Sequence, residues 1–176
     1  PVTVDYVAPD GSSGTLYFSP YQTEKSIITS WTNDIADEDN EVVFAILSNP
    51  TGGIISDATG QLTIIDDDGA PSISIDDISA NEVDETDTFT VSLSAASGKT
   101  ITVDYTAPDG TIGTLTFNPG ETEKTFVSTW SDDSTDEADE VVSATLSNPS
   151  NATISDATGQ LTIIDDDGAP SISIDD

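Results

Sequence analysis

The chain has 176 residues, with 34 Asp and Glu set against three Lys and Arg and no His, for a formal net charge of −31. This balance excludes nucleic acid and anionic membrane as electrostatic partners and favours cations or basic surfaces. With Cys, Met and His all absent, oxygen is the only ligand class on offer. That argues against zinc, copper and iron–sulfur centres and for calcium or, less well, magnesium.

No apolar run approaches the ~18 residues of a membrane span, and the first residues do not read as a signal peptide. The fragment is therefore expected to be soluble, with no membrane contact of its own. High charge could signal disorder, but apolar residues alternate with Ser and Thr in many short runs, which is the pattern of strands.

Internal repetition organises the chain. Sliding it by 99 residues aligns Pro1–Asp77 with Thr100–Asp176 without a gap, and 51 of these 77 positions are identical. The stretch Ile55–Asp77 recurs unchanged as Ile154–Asp176. A period this long demands a core for each repeat, so the repeats are expected to be domains rather than solenoid turns. The expected division is an incomplete repeat over 1–69, a complete one over 70–168, and the first strand of a following repeat over 169–176.

Seven strands are predicted in the complete repeat: Ser72–Ile75, Thr88–Ser94, Thr100–Thr106, Gly113–Phe117, Glu123–Trp130, Glu140–Leu146 and Ile154–Ile164, the last bent around Asp156–Gly159. Turn chemistry separates them at 96–98, 108–110, 118–120 and 148–150. Phe89, Val91 and Leu93 share one face, as do Ile101, Val103 and Tyr105, and Val142, Ala144 and Leu146. The expected fold is all-β: tandem seven-stranded antiparallel Greek-key sandwiches of immunoglobulin-like type. The first repeat starts at the third strand of this plan and should expose sheet edges and half its core. Trp31 and Trp130 fall in register with core positions and read as packing residues. Lys25 and Lys124 fall on polar faces of the fifth strand and read as solvated.

The acids are not spread over the surface. They gather at 34–41, 66–68, 76–87, 132–140, 165–167 and 175–176, and Asp109 joins them from the third connection. In a Greek-key sandwich these connections can meet at one end. Calcium takes six to eight oxygens at about 2.3–2.6 Å, which converging carboxylates can supply. The alternative is a solvated acidic rim. The Asp-Asp-Asp-Gly sequence lacks EF-hand spacing, and glycine-rich calcium nonapeptides are absent.

Several motifs together resemble a Calx-β domain: Asn81-Glu82, Asp109-Gly110, Gly113-Thr-Leu-Thr-Phe117, Pro119-Gly-Glu-Thr-Glu-Lys124, Asp132-Asp133 with Asp136-Glu137 and Asp139-Glu140, Leu146-Ser-Asn-Pro149, and Asp165-Asp166-Asp167. That family comprises calcium-sensing domains of sodium–calcium exchangers, repeats in integrin β4 and tandem repeats of large bacterial surface proteins. The resemblance implies Ca2+ ligands at Glu82, Asp109, Asp133, Glu137, Glu140, Asp165, Asp166 and Asp167. In the first repeat it implies Asp10, Asp34, Glu38, Glu41, Asp66, Asp67 and Asp68, with no counterpart of Glu82. The third connection is shorter than the family pattern, and Ser134 and Thr135 replace acids often found there. One to four ions per repeat are expected.

No Ser, Thr or carboxylate pair has a His or Lys placed to activate it, so a non-enzymatic role is expected. The leading expectation is a set of calcium-binding structural repeats of a long extracellular surface protein, adhesin or fibre, bacterial in origin. Its partners would be calcium ions and neighbouring repeats of the same array. Alternatives are a calcium-sensing regulatory module, a ligand-binding adhesion tip, and a filament of like chains in which the last strand of one chain completes the first repeat of another. The last alternative supplies one of the two missing strands. The Asn151-Ala-Thr153 sequon has Gly52 in the other repeat and carries no expectation.

Overall fold

Period-two alternation of β-branched and aromatic residues with Ser and Thr produces strands throughout the computed structural model, which describes residues 1–174 and contains no α-helix among them. The acids at 175 and 176 lie outside the described residues. The chain separates into two units. The first comprises Pro1–Asp34 and Asp39–Asp67; the second comprises Ile35–Glu38 and everything from Asp68 onward.

The first unit is a single four-stranded antiparallel sheet of β1 (Val2–Val7), β2 (Ser13–Phe18), β3 (Glu41–Thr51) and β4 (Thr59–Ile64), in the order β2-β1-β3-β4. Residues 24–31, aligned with the predicted fifth strand, are not in a strand. Lys25 is therefore not on a strand face, and Trp31 is 57% exposed rather than packed. Both departures have one cause. In the complete repeat the fifth strand bonds to the second, and residues 24–31 have no strand partner of that kind among the described residues.

The second unit holds two sheets. One contains β5 (Ser72–Ile75), β7 (Thr86–Leu93), β10 (Glu123–Thr129) and β12 (Thr153–Ile154), in the order β10-β7-β5-β12. The other contains β6 (Ile78–Asn81), β8 (Ile101–Thr106), β9 (Ile112–Phe117), β11 (Glu140–Ser150) and β13 (Thr158–Ile164), in the order β6-β13-β11-β8-β9. The described strands number nine, against seven expected, because the first and last predicted strands each serve both sheets. The last one divides at the predicted bend into β12 and β13. The first continues beyond Ile75 into β6, which pairs parallel with β13. Ser171–Ile174, expected as a strand, is unpaired and exposed.

Two carboxylates make the sheet switch between β5 and β6. Asp76 Oδ1 accepts the Thr90 N–H at 2.8 Å from one sheet, and Asp77 Oδ1 accepts the Gln160 N–H at 2.8 Å from the other. The crossing requires Gly159, where a Cβ would stand 2.5 Å from the Asp76 carbonyl oxygen. These acids, expected beside a bound ion, therefore serve as backbone acceptors at the sheet edges.

Inward-facing residues of the two sheets form one apolar core, and every member of it belongs to the second unit. Ile73, Phe89, Val91, Val103 and Leu161 are fully buried. Phe126 stacks between Phe89 and Tyr105, with ring centroids at 5.3 and 4.1 Å. β11 carries a register shift between Ser147 and Ser150. There Asn148 takes a positive φ of 50° and donates from Nδ2 to Asp104 Oδ2 at 3.0 Å; Asn tolerates this left-handed backbone better than most residues. Asn49 and Asp5 repeat the arrangement in the first unit.

Candidate metal centre

At the pole of the second unit, the end of β6 leads into a single 3₁₀ turn, Glu82–Asp84. Asn81 starts it with extended backbone, and the Asn81 N–H donates to Asp84 Oδ2 at 3.1 Å. Parallel pairing sets Asn81 opposite Ile164, the last residue of β13. Glu82 therefore emerges directly beside the Asp165–Asp167 run. From the connection before β11, Asp139 Oδ1 accepts the Asp165 N–H at 3.3 Å, drawing that loop onto the same corner.

Two carboxylate triads result. Glu82, Asp132 and Asp166 form one, and Glu82, Asp165 and Asp167 the other; in each, one oxygen per residue lies within 4.8 Å of the others. Oxygens this close together can be reached by one cation, and calcium takes six to eight oxygens at about 2.3–2.6 Å. Packing of this kind is unfavourable for bare anions. Loss of solvent, followed by the charges of Asp133, Asp132 and Asp165, pushes the Glu82 carboxyl above its ordinary value. Loss of solvent and then Asp165, Asp132, Asp166 and Asp133 do the same to Asp167.

A group of acids alone is not a site. Here a second observation accompanies it: Asp165 Oδ1 and Asp167 Oδ2 are buried and have no hydrogen-bond partner among the described residues. A buried carboxylate oxygen without a donor is costly unless a cation satisfies it. The donors present are all hard oxygens, so the residues fit a divalent ion such as Ca2+ and offer nothing to a soft metal.

Four of the eight residues expected to act as ligands in the complete repeat thus meet: Glu82, Asp165, Asp166 and Asp167. Asp132 joins them in place of its neighbour. Asp133 stands outside both triads; hydrogen bonds from the Thr135 side chain first, and then from the Thr135 N–H, which meets Oδ1 at 2.7 Å, keep its carboxyl below the ordinary value. Asp109 also stands outside. Its Oδ1 accepts the Thr111 N–H at 2.8 Å, and its Oδ2 accepts the Thr129 hydroxyl at 3.0 Å and N–H at 3.3 Å, tying the turn to the end of β10. Those bonds, that to Thr111 first, depress its pKa. Glu137 and Glu140 belong to neither triad.

In the first unit Asp10 repeats the role of Asp109. It accepts from the N–H groups of Ser12 at 3.0 Å and Ser30 at 3.1 Å, and its pKa falls to about 2 through the Ser12 side-chain hydrogen bond first and then these two. Asp34, Glu38, Glu41, Asp66, Asp67 and Asp68 form no triad among the described residues. Glu82 is common to both triads of the second unit, and in the first copy Asn33 stands at the place of Asp132.

Sequence reasoning passed over Asp132, although its adjacency to Asp133 was the available signal. It also passed over Trp130 as a support of the site. The Trp130 indole donates from Nε1 to the Glu82 carbonyl oxygen at 2.9 Å, and its own N–H donates to the Glu85 carbonyl at 3.1 Å.

Among curated proteins no relative matches the chain. Similar solved structures include the crystal structure of CBD12 from CALX1.2, with a TM-score of 0.46 at 18% identity, covering 92% of this chain and 86% of that one. Another is the calcium binding domain CBD12 of CALX1.1, with a TM-score of 0.37 at 23% identity, covering 84% of this chain and 66% of that one. The Calx-beta domain family model matches residues 3–68 and again residues 65–167. The chain belongs to the Calx-beta domain family, in two tandem copies.

Proposed function

We infer that the chain is a pair of calcium-binding structural repeats from a long extracellular surface protein, in which Ca2+ fastens the acidic pole of each complete repeat. The observation carrying this reading is the pair of buried oxygens on Asp165 and Asp167, without a hydrogen-bond partner among the described residues, in two residues whose carboxylates form a triad with Glu82. Their run, Asp165–Asp167, is the link in sequence between the last strand of one repeat and the Pro-Ser-Ile-Ser-Ile segment that opens the next. An ion held there converts a self-repelling linker into a fixed one, which is the property a stiff array of repeats needs. The role is binding rather than catalysis.

Glu82, Asp132, Asp165, Asp166 and Asp167 are the residues that would hold the ion, and Asp109, Asp133, Glu137 and Glu140 are the adjoining acids proposed to complete or extend the shell. Bound calcium would supply the positive charge that three lysines cannot. The chain's own contribution is orientation: β6 and the 3₁₀ turn deliver Glu82, β13 delivers the aspartate run, and the Asp139–Asp165 bond joins loop to strand.

Free calcium at ~100 times the dissociation constant would add about 2.7 kcal/mol to folding, a large share of a marginal domain's stability. Calorimetric titration with calcium, alongside melting in EDTA and in millimolar calcium, is the test. Equal melting temperatures and no binding heat would end this reading.

A further inference from the structure

Asp-Gly occurs four times in the chain, at Asp10-Gly11, Asp68-Gly69, Asp109-Gly110 and Asp167-Gly168. The pairing carries its own chemistry. The amide nitrogen after an aspartate can close a five-membered ring on the side-chain carboxyl. A glycine there has no Cβ in the way and the freest of backbones. In a folded chain the ring closes only where the glycine N–H is not tied to a carbonyl and the carboxyl can turn onto it.

The four bonds are of two kinds. In the turns both groups are held. The Gly110 N–H donates to the Ala107 carbonyl at 3.0 Å, and the Gly11 N–H to the Ala8 carbonyl at 3.0 Å. Both glycines take the positive φ of a tight turn, 85° and 80°. Asp109 Oδ1 accepts the Thr111 N–H at 2.8 Å, and its Oδ2 the Thr129 hydroxyl at 3.0 Å. Asp10 Oδ1 accepts the Ser12 N–H at 3.0 Å, and its Oδ2 the Ser30 N–H at 3.1 Å.

The glycines that follow β4 and β13 are not held in this way. Gly69 and Gly168 are exposed, lie in no strand or turn, and give their N–H to no carbonyl among the described residues. A Cβ on either would meet nothing within 4 Å. Gly69 lies well inside the chain, so this openness belongs to the link between copies. At Asp167 the carboxyl also has an oxygen, Oδ2, with no hydrogen-bond partner among the described residues.

We propose that Asp167-Gly168 is a site of spontaneous isomerisation to isoaspartate, while the turn bond Asp109-Gly110 of the same unit is spared. The Gly168 nitrogen attacks Cγ of the protonated Asp167 carboxyl. The N–Cγ bond forms, a Cγ–O bond breaks, and the hydroxyl leaves as water with the amide proton. Water then adds at the Asp167 main-chain carbonyl carbon and breaks its bond to the Gly168 nitrogen. The chain now runs through Cβ and Cγ, and the carboxylate sits on Cα. Nothing is oxidised, and water is the only co-reactant. The product inserts a methylene into the link and draws the carboxylate back by one carbon. A carboxylate engaged by calcium cannot turn onto the amide, so calcium should slow the reaction; that part alone rests on the proposed function.

The test incubates the full 176-residue chain at neutral pH for several weeks, in EDTA and in millimolar calcium. Isoaspartate is then mapped by proteolysis and electron-transfer mass spectrometry. In EDTA it should accumulate at Asp167 at least tenfold faster than at Asp109, whose turn must first break its bonds to Ala107, Thr111 and Thr129. Gly168→Ala places a methyl beside the nitrogen where no neighbour obstructs it and φ is not left-handed. It should slow the reaction at Asp167 at least tenfold with the melting curve unchanged. No isoaspartate in EDTA overturns the proposal, as does isoaspartate at Asp109 that keeps pace with Asp167, or an undiminished rate in Gly168→Ala. Equal rates at Asp167 in EDTA and calcium, with Asp109 still spared, uphold the proposal and count against calcium at Asp167.

Discussion

The Trp130 indole N–H reaches the Glu82 carbonyl oxygen at 2.9 Å, fastening the residue shared by both carboxylate triads to the end of the fifth strand of its repeat. This bond fixes the backbone from which Glu82 projects, while the ring packs against the core. Trp130→Phe keeps most of the apolar contact and removes the donor. Stability should fall by about 1 kcal/mol, the usual worth of such a bond. Calcium affinity should fall several-fold as Glu82 loses its anchor. Calorimetric titration of the variant decides the matter: an unaltered dissociation constant would mean that Glu82 is positioned by its 3₁₀ turn alone.

Neutralising the pole separates repulsion from ion binding. Asp167→Asn removes one of several crowded charges and leaves an amide of nearly the same shape. In EDTA the variant should melt no lower than the parent, because the group it loses is destabilised when ionised. In saturating calcium the parent should rise by roughly 10 °C or more, the equivalent of 2–3 kcal/mol in a domain of about 100 residues. The variant should lose most of that rise. A variant that melts lower in EDTA yet keeps the full calcium shift would show that Asp167 serves the fold and not the ion.

Protons should compete with the cation, and the sign follows from the raised pKa values. Glu82 and Asp167 ordinarily titrate at 4.5 and 3.8, and both are raised in the folded chain. The native state therefore binds more protons than the unfolded state across that window. These groups lower stability as pH climbs from their ordinary values through the raised ones. Asp109 and Asp133 are depressed and act oppositely, adding stability that is lost as pH falls below 3.8. The contribution of Glu82 is isolated by comparing Glu82→Gln with the parent in EDTA. The variant's advantage should widen from about pH 4 to about pH 7, the range in which carboxyls ionise. Calcium affinity of the parent should strengthen over the same interval. An advantage that shrinks with rising pH would contradict the assigned direction.

What the sequence disclosed follows from how local each signal is. β7, β8 and β11 each carry three alternating apolar residues, enough to name both strand and face. β6 was invisible because Ile-Ser-Ala-Asn has two apolar positions and acids on both sides, and its parallel partner β13 lies about 80 residues away. Residues 24–31 alternate much as Glu123–Trp130 do, yet only the latter form a strand, because β7 supplies the partner edge. At the pole, the Asp165–Asp167 run was plain from charge density alone. Which of Asp132 and Asp133 turns toward Glu82 depends on a loop whose path is set by Asp139 and Thr135, and no periodicity records that.

The three lysines make trypsin a reporter of which unit opens first. Lys124 lies within β10 and pairs with Glu121 at 2.8 Å. Lys99 Nζ meets Asp37 Oδ1 at 2.8 Å, and the Asp37 carbonyl also accepts the Ser97 hydroxyl at 2.9 Å. Lys25 is exposed in a stretch with no strand partner. Cleavage of an open segment tracks its opening free energy, which is lowest where backbone bonds are exposed or absent. Trypsin should therefore cut after Lys25 at least tenfold faster than after Lys99 or Lys124, releasing residues 1–25 and 26–176 by mass spectrometry. Equal cutting at all three lysines would mean that the second unit, despite its closed core, opens as easily as the first.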